Sequence, residues 1–293
     1  MGYERESYHS YNSRPAWRNS NQLKGAYIGV ELETVSRTRS YRDVLRRLPE
    51  FNARCRPLTE EDGSLPDNTG VEIIFPPFRA STIKKSTSVL AKSMAAIDGV
   101  VAHGHRATGM HINLNVGDML TSERTCMMHA VHCLTSTMLA NLGGRYPNNY
   151  CSPYPYASRG RTLPASDHYH CLCWHGNAAE LHGSRLELRF PQSTTNHNRL
   201  KLLVDFCMAL RAFAKSKYAS DMNFSNTVQS CNVFLSYLYK MKRYRLVHLA
   251  ITEGFEAYQK ATDTGAGATA AAAIDQCPST TTSVTGTCTA VAA

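Results

Sequence analysis

Along the middle of the chain, hydrophobic and polar residues alternate in short runs, and between the runs the period lengthens to about 3.6 residues. Strands are predicted at 26–34, 70–75, 109–116, 169–174 and 185–190, with helices in the intervals. In the first run, Ile28, Val30 and Leu32 fall on one face and Glu31 and Glu33 on the other. In the second, Glu72 stands alone among β-branched and aromatic residues. The third sets His111, Asn113 and Asn115 opposite Met110, Ile112, Leu114 and Val116. The fifth sets Arg185, Glu187 and Arg189 opposite Leu186, Leu188 and Phe190.

The first helix is predicted at about 79–98, after Pro76 and Pro77, which are expected to stop the preceding strand. A second is predicted at about 121–142, capped by Thr121 and Ser122 and stopped by Gly143 and Gly144. A third, about 196–216, carries an apolar stripe of Leu200, Leu203, Val204, Phe206, Cys207, Leu210 and Phe213. Two further helices are predicted within 226–260. The sum is a sheet flanked by helices.

Outside this body, residues 1–24 read as a flexible polar arm, and residues 263–293 as a disordered tail rich in Ala and Thr without any Lys or Arg. The Pro-, Tyr- and Arg-rich stretch 148–166 reads as a long loop, able to bring Tyr150, Tyr154, Tyr156, Arg159 and Arg161 over a ligand or to remain an ordinary surface loop. No apolar run approaches the roughly 18–20 residues that span a bilayer, and the opening segment lacks the pattern of an export signal. A cytoplasmic protein is expected, with no membrane partner. Ten cysteines without a CxxC pair then read as reduced thiols. The group His168 to His175 scatters its donors over both faces of a strand and reads as structural rather than as a zinc site. Cys126 and Cys133 read most simply as core residues on one helix; the alternative, a nucleophilic cysteine paired with His129 or His132, has nothing further in the sequence to support it.

Thirty-two basic against 23 acidic side chains give a formal net charge of +9, which attracts anions without choosing among them. The polar rows choose more narrowly. Singly, each fits a structural role: a solvated strand face for Glu31 and Glu33, an edge gatekeeper for Glu72, a hydrogen-bonded structural histidine for His111, a salt ladder for Arg185, Glu187 and Arg189. Jointly they predict one platform, with the apolar rows turned toward the helices. Carboxylates so crowded repel one another unless divalent cations intervene, and an oxygen-rich set with one imidazole suits Mg2+ or Mn2+ better than zinc. Arginine forks beside such ions are suited to phosphoryl oxygens.

The motifs Gly29-Val30-Glu31-Leu32-Glu33, Asp62-Gly63-Ser64-Leu65 leading to Gly70-Val71-Glu72, Gly109-Met110-His111-Ile112-Asn113 and Arg185-Leu186-Glu187-Leu188-Arg189-Phe190-Pro191 stand in this order over roughly residues 25–215. As a set they resemble the glutamine synthetase superfamily of carboxylate-amine ligases, most closely its amidoligase branch of bacterial and phage genomes. The resemblance implies an α+β fold, a curved, mainly antiparallel sheet flanked by helices as in the glutamine synthetase catalytic domain. It implies a catalytic domain over 25–218, on which a helical extension over 219–262 packs. ATP and two Mg2+ or Mn2+ ions are the implied cofactors: Glu33 and Glu72 hold one ion, Glu31, His111 and Glu187 the other. Arg185 and Arg189 contact phosphates and, with Glu33, act in catalysis, while Asn113, Arg159 and Arg161 complete the nucleotide site. Glutamine synthetase has a further acid beside the position of Glu72, for which no counterpart is assigned here.

The implied activity joins a small-molecule or peptide carboxylate to an amine through an acyl phosphate, releasing ADP and phosphate in the cytoplasm, or in a host's cytoplasm if phage-encoded. The rival readings are a guanidino-kinase-like phosphotransferase of the same fold and a non-catalytic basic protein that binds nucleic acid or a virion. Nucleic acid is not the expected partner of the ligase.

Overall fold

The computed structural model describes residues 3–5, 25–147 apart from 53 and 106, residue 151, residues 170–175 and residues 185–264. Its centre is an open sheet of six strands, all paired antiparallel: β1 (Tyr27–Val35), β2 (Leu58–Glu60), β3 (Gly70–Arg79), β4 (Met110–Asn115), β5 (Leu172–His175) and β6 (Arg185–Leu188), in the order β2-β3-β1-β4-β6-β5. The helices are α1 (Arg42–Arg47), α2 (Ala80–Ile83), α3 (Val89–Ile97), α4 (Thr121–His132), α5 (Ser136–Gly143), α6 (His197–Ala214), α7 (Thr227–Lys240), α8 (Arg245–Glu253) and α9 (Phe255–Asp263). Mixed helix and antiparallel sheet define an α+β protein.

The alternation in the sequence becomes two chemically distinct sheet faces. Ile28, Val30, Leu32, Val71, Ile73, Phe75, Met110, Ile112, Leu114, Leu186 and Leu188 join one continuous hydrophobic cluster with the buried sides of the helices, among them Leu90, Met94, Met127, Val131, Leu203, Phe206, Leu210 and Phe234. Burying that row against helices supplies the main driving force for the layer arrangement. Leu58 and Ile74, which alternate onto the opposite face, are buried but stand outside this cluster. The helices α7, α8 and α9 share the same cluster through Phe234, Tyr237, Leu238, Val247, Ile251 and Tyr258.

Several elements differ from expectation. Pro76 and Pro77 do not stop β3, which runs on to Arg79. The pairing with β1 shifts there, Val30 facing Phe75 and Ile28 facing Phe78, so both prolines fall in a bulge where no ladder N–H is required of them. The helix expected over 79–98 is two, α2 and α3, because the Ser88 side chain accepts from the Ala91 N–H at 3.1 Å and starts a new helix. The helix expected over 121–142 is likewise divided, with Thr135 capping α5 by accepting from the Met138 N–H at 3.2 Å. Leu120, not Thr121 or Ser122, takes the cap position of α4, and Glu123 accepts the Leu120 N–H at 2.9 Å. Gly144 ends α5 as expected, with φ at 90°. Three helices rather than two fill 226–263, parted between α8 and α9 at Gly254, whose φ is 100°. The three-residue β2 was not predicted.

Candidate functional site

The register of the sheet carries the polar rows onto one surface. Glu33 faces Glu72 across β1 and β3, Glu31 faces His111 across β1 and β4, and Asn113 faces Glu187 across β4 and β6. At the outer edge Glu60 faces Glu72 across β2 and β3. A solvated strand face is thereby excluded: Glu33 is 6 %, Glu60 0 %, Glu72 5 %, His111 5 % and Glu187 2 % exposed. Only Glu31 is half-buried.

His111 stands at the centre. Its Nδ1 lies 3.2 Å from Glu31 Oε2 and 3.4 Å from Glu187 Oε1, and its Nε2 lies 3.3 Å from Glu33 Oε1. Burial alone lowers the affinity of this imidazole for a second proton. The Glu33 carboxylate, the hydrogen bond to Glu31 and the Glu187 carboxylate outweigh it against the opposing Arg189, so the pKa is raised. Glu72 is pushed well above the usual carboxylate range, first by burial and then by the charges of Glu31, Asp62, Glu33 and Glu60. Five carboxyl groups around one imidazole and one guanidinium leave an excess of negative charge, which contributes to both upward shifts.

Each carboxylate is held by its own contacts. The Gly109 N–H donates to Glu33 Oε2, and a Cβ at Gly109 would come within 3.1 Å of that oxygen and 2.8 Å of Arg145 Nη2, so a side chain there would press on both groups. Arg145 straps the surrounding backbone, donating to the carbonyls of Thr108 at 2.8 Å, Arg189 at 3.2 Å and Phe190 at 3.3 Å. Asn113 Nδ2 donates to Glu31 Oε1 at 2.9 Å while Asn113 Oδ1 accepts from Arg185 Nε at 2.8 Å. Both atoms of the Asn113 amide thus orient neighbours, whereas the resemblance gave it to a nucleotide. Arg189 Nη1 donates to Glu187 Oε1 at 2.7 Å, and its buried Nε makes no hydrogen bond. The salt ladder expected of that strand is therefore present in part, within β6 and its extension.

The donor set fits divalent cations. Glu31, His111 and Glu187 present ligand atoms within 4.8 Å of one another, and so do Glu33, Glu72 and His111. Oxygen predominates in both groups, with a single imidazole between them, which favours Mg2+ or Mn2+ over zinc. The structure thus brings together Glu31, Glu33, Glu72, His111 and Glu187, with Asn113, Arg185 and Arg189 beside them. Arg159 and Arg161, with Tyr150, Tyr154 and Tyr156, lie outside the described residues. Glu60 was missed because β2 is too short to display a period; the acidic run Glu60-Glu61-Asp62 before the turn was the available sign.

Elsewhere the candidate chemistry is structural. Leu172–His175 forms the expected strand beside β6, and among the described residues no cysteine joins a metal-ligand group. Burial pushes the Cys126 thiol up to about 11 and the His132 imidazole down to about 4, which keeps the thiol protonated and the imidazole neutral at pH 7. His129 Nε2 lies 3.0 Å from Ser230 Oγ, tying α4 to α7. Among the described residues no helix is long and apolar enough to cross a membrane. Comparison of the chain with protein-family models and with curated proteins finds no match.

Proposed function

We propose that this chain is an ATP-dependent carboxylate-amine ligase of the glutamine synthetase type, with a curved sheet and a nucleotide site on its acidic face. One observation carries the reading: the buried Glu33, Glu60, Glu72, His111 and Glu187 and the half-buried Glu31 converge on one sheet face with Arg185 and Arg189 at its border. Glu60, opposite Glu72 across β2 and β3, is the candidate for the further acid that glutamine synthetase has beside that position.

Glu33 and Glu72, with His111 between the two groups, would hold one Mg2+ or Mn2+ ion, and Glu31, His111 and Glu187 would hold the other; such ions would supply positive charge to neutralise the phosphates of ATP. Gly109 and Asn113 fix the carboxylates of Glu33 and Glu31 beforehand, so little reorganisation is needed. Arg189, and Arg185 beyond it, meet the negative charge spreading over the transferred phosphoryl oxygens. An oxygen of the acid substrate forms a bond to the γ-phosphorus as the bond to the β-phosphate oxygen breaks, giving an acyl phosphate and ADP. The amine nitrogen then attacks the acyl carbon, phosphate leaves, and the nitrogen loses a proton to a base.

The test supplies Mg2+, ATP, candidate acids and hydroxylamine, and reads hydroxamate and ADP. Hydroxamate formed in step with ADP, and lost in Glu33→Gln and Glu72→Gln proteins of unchanged circular dichroism, is the expected result. A phosphorylated guanidino compound and no hydroxamate would make the chain a phosphotransferase. Turnover retained in both variants would remove the metal assignment.

A further inference from the structure

The charge of +9 is not spread evenly over the molecule. Residues 215–245 carry Lys215, Lys217, Lys240, Lys242, Arg243 and Arg245 against Asp221 alone, so more than half of the formal excess sits in this one segment. It forms a single surface on the helical layer: the 3-10 turn Lys217–Asp221, the end of α7 and the 3-10 turn Lys242–Tyr244. Lys217, Lys240, Lys242 and Arg243 are exposed and have no carboxylate partner among the described residues.

Aromatic rings underlie these cations. Lys217 and Lys240 approach the same ring, Tyr218, at 6.0 and 5.5 Å from its centroid. Tyr218 packs on Tyr237 at 5.5 Å, Tyr237 on Tyr244 at 6.1 Å, and Arg243 lies 4.6 Å over Tyr244. Beside Tyr218 opens a surface cavity of about 510 Å³, walled by Asp221, Asn226, Gln229, Asn232 and Lys240. Cations for a phosphate backbone, an aromatic rim for a base, and amide and carboxylate groups for base edges occur together here.

We infer that this surface binds single-stranded nucleic acid, independently of the acidic sheet face. Lys217, Lys240, Lys242 and Arg243 track successive phosphates, and an unstacked base enters the cavity against Tyr218. Asn232 offers a donor and an acceptor to its edge; Asn226 and Gln229, whose side-chain oxygens already accept from the Gln229 N–H and from Asn223, offer their NH2 groups; and Asp221 accepts from an exocyclic amine. A duplex keeps its base faces stacked and cannot fill the cavity in this way. The inference reverses the expectation, drawn from sequence, that nucleic acid is no partner: net charge was visible there, its concentration over aromatic rings beside a cavity was not.

The experiment measures fluorescence anisotropy of a labelled oligodeoxycytidine of about 20 nucleotides with the full chain, across a salt series. Binding is expected, lowered about tenfold or more in Lys217→Glu/Lys240→Glu, with a log-log salt slope shallower by about 1.4 for two lost contacts. Lys217→Glu/Lys242→Glu serves as a second pair. Lys85→Glu/Lys92→Glu, which makes the same change of charge at exposed positions elsewhere, is expected to retain most of the affinity. Tyr218→Leu is expected to weaken the oligonucleotide about tenfold and to leave heparin binding unchanged. No binding at low salt, equal loss in the Lys85/Lys92 control, or equal weakening of heparin and oligonucleotide by Tyr218→Leu would each overturn the inference. Hydroxamate formation is read in parallel, so failure here and failure of the ligase reading are separate results.

Discussion

Residue by residue, the molecule places its ionisable groups where burial decides their state. His132 at the end of α4 is held down to about 4 by burial first, and then by the neighbouring imidazoles of His129 and His170. Unfolded, it takes a proton near its ordinary value of about 6.5. Between those two values the unfolded chain binds more protons than the folded one, so stability rises with pH through this window and falls as acid is added. The contribution is fully present above pH 6.5, and its loss toward pH 4 is about 3 kcal/mol. Urea unfolding at a series of pH values reads it, and His132→Gln is expected to flatten the curve between pH 6.5 and 4. Gly109 is a residue of another kind, since its N–H and its missing side chain both serve Glu33. Gly109→Ala pushes against Glu33 and Arg145. We expect metal affinity, read by titration calorimetry with Mn2+, to drop about 10- to 100-fold while the thermal midpoint moves only a few degrees.

Between elements, the decisive contacts are those that bind a helix end to the strands bearing the site. Arg145 follows α5 and donates to carbonyls before β4 and after β6, three acceptors that water does not replace when buried. Arg145→Leu is expected to destabilise the fold by about 3 kcal/mol in chemical denaturation. Arg145→Lys recovers only part, because an ammonium cannot fork among three carbonyls. Nothing in the residues around Arg145 announces this role. What the sequence does display is whatever repeats: alternation in β1, β3, β4 and β6 sorts Glu31, Glu33, Glu72, His111 and Glu187 onto the polar side of their strands. A three-residue strand such as β2 has no period, so Glu60 stays hidden. Pro76 and Pro77 mislead because a bulge removes the need for the N–H they lack. Ser88 and Thr135 look like helix-interior residues, yet each side chain accepts a backbone N–H and starts a new helix. Local hydrogen-bond choices of this kind are made by tertiary packing, which spacing alone does not express.

For the whole molecule, the acidic face sets stability against function, and the two acids Glu72 and Glu187 separate these effects. Glu72 lies buried among Glu31, Glu33 and Glu60, and that burial, with the neighbouring charges, pushes its pKa well above the usual carboxylate range, so its negative charge is costly to keep on this face. Glutamine has the shape of the protonated acid. Glu72→Gln is therefore expected to change the metal-free stability by less than about 0.5 kcal/mol. Glu187 instead pairs with Arg189 at 2.7 Å and faces His111 at 3.4 Å. Glu187→Gln leaves a largely buried guanidinium without its counter-charge, and a loss of about 3 kcal/mol is expected. Cations reverse the order of importance. Cations that bind only the folded chain would stabilise it by about 2.7 kcal/mol at one hundred times the dissociation constant, which for a chain of this size would raise the thermal midpoint by roughly 5–10 °C. Wild type should show that rise with Mg2+ or Mn2+ and lose it on chelation without unfolding, because the hydrophobic cluster does not depend on the ions. In Glu72→Gln the rise should shrink by more than half although the metal-free protein is as stable as wild type. Thermal scans with and without cation decide the matter: a full rise in Glu72→Gln would mean that the acids of this face serve each other and not a metal.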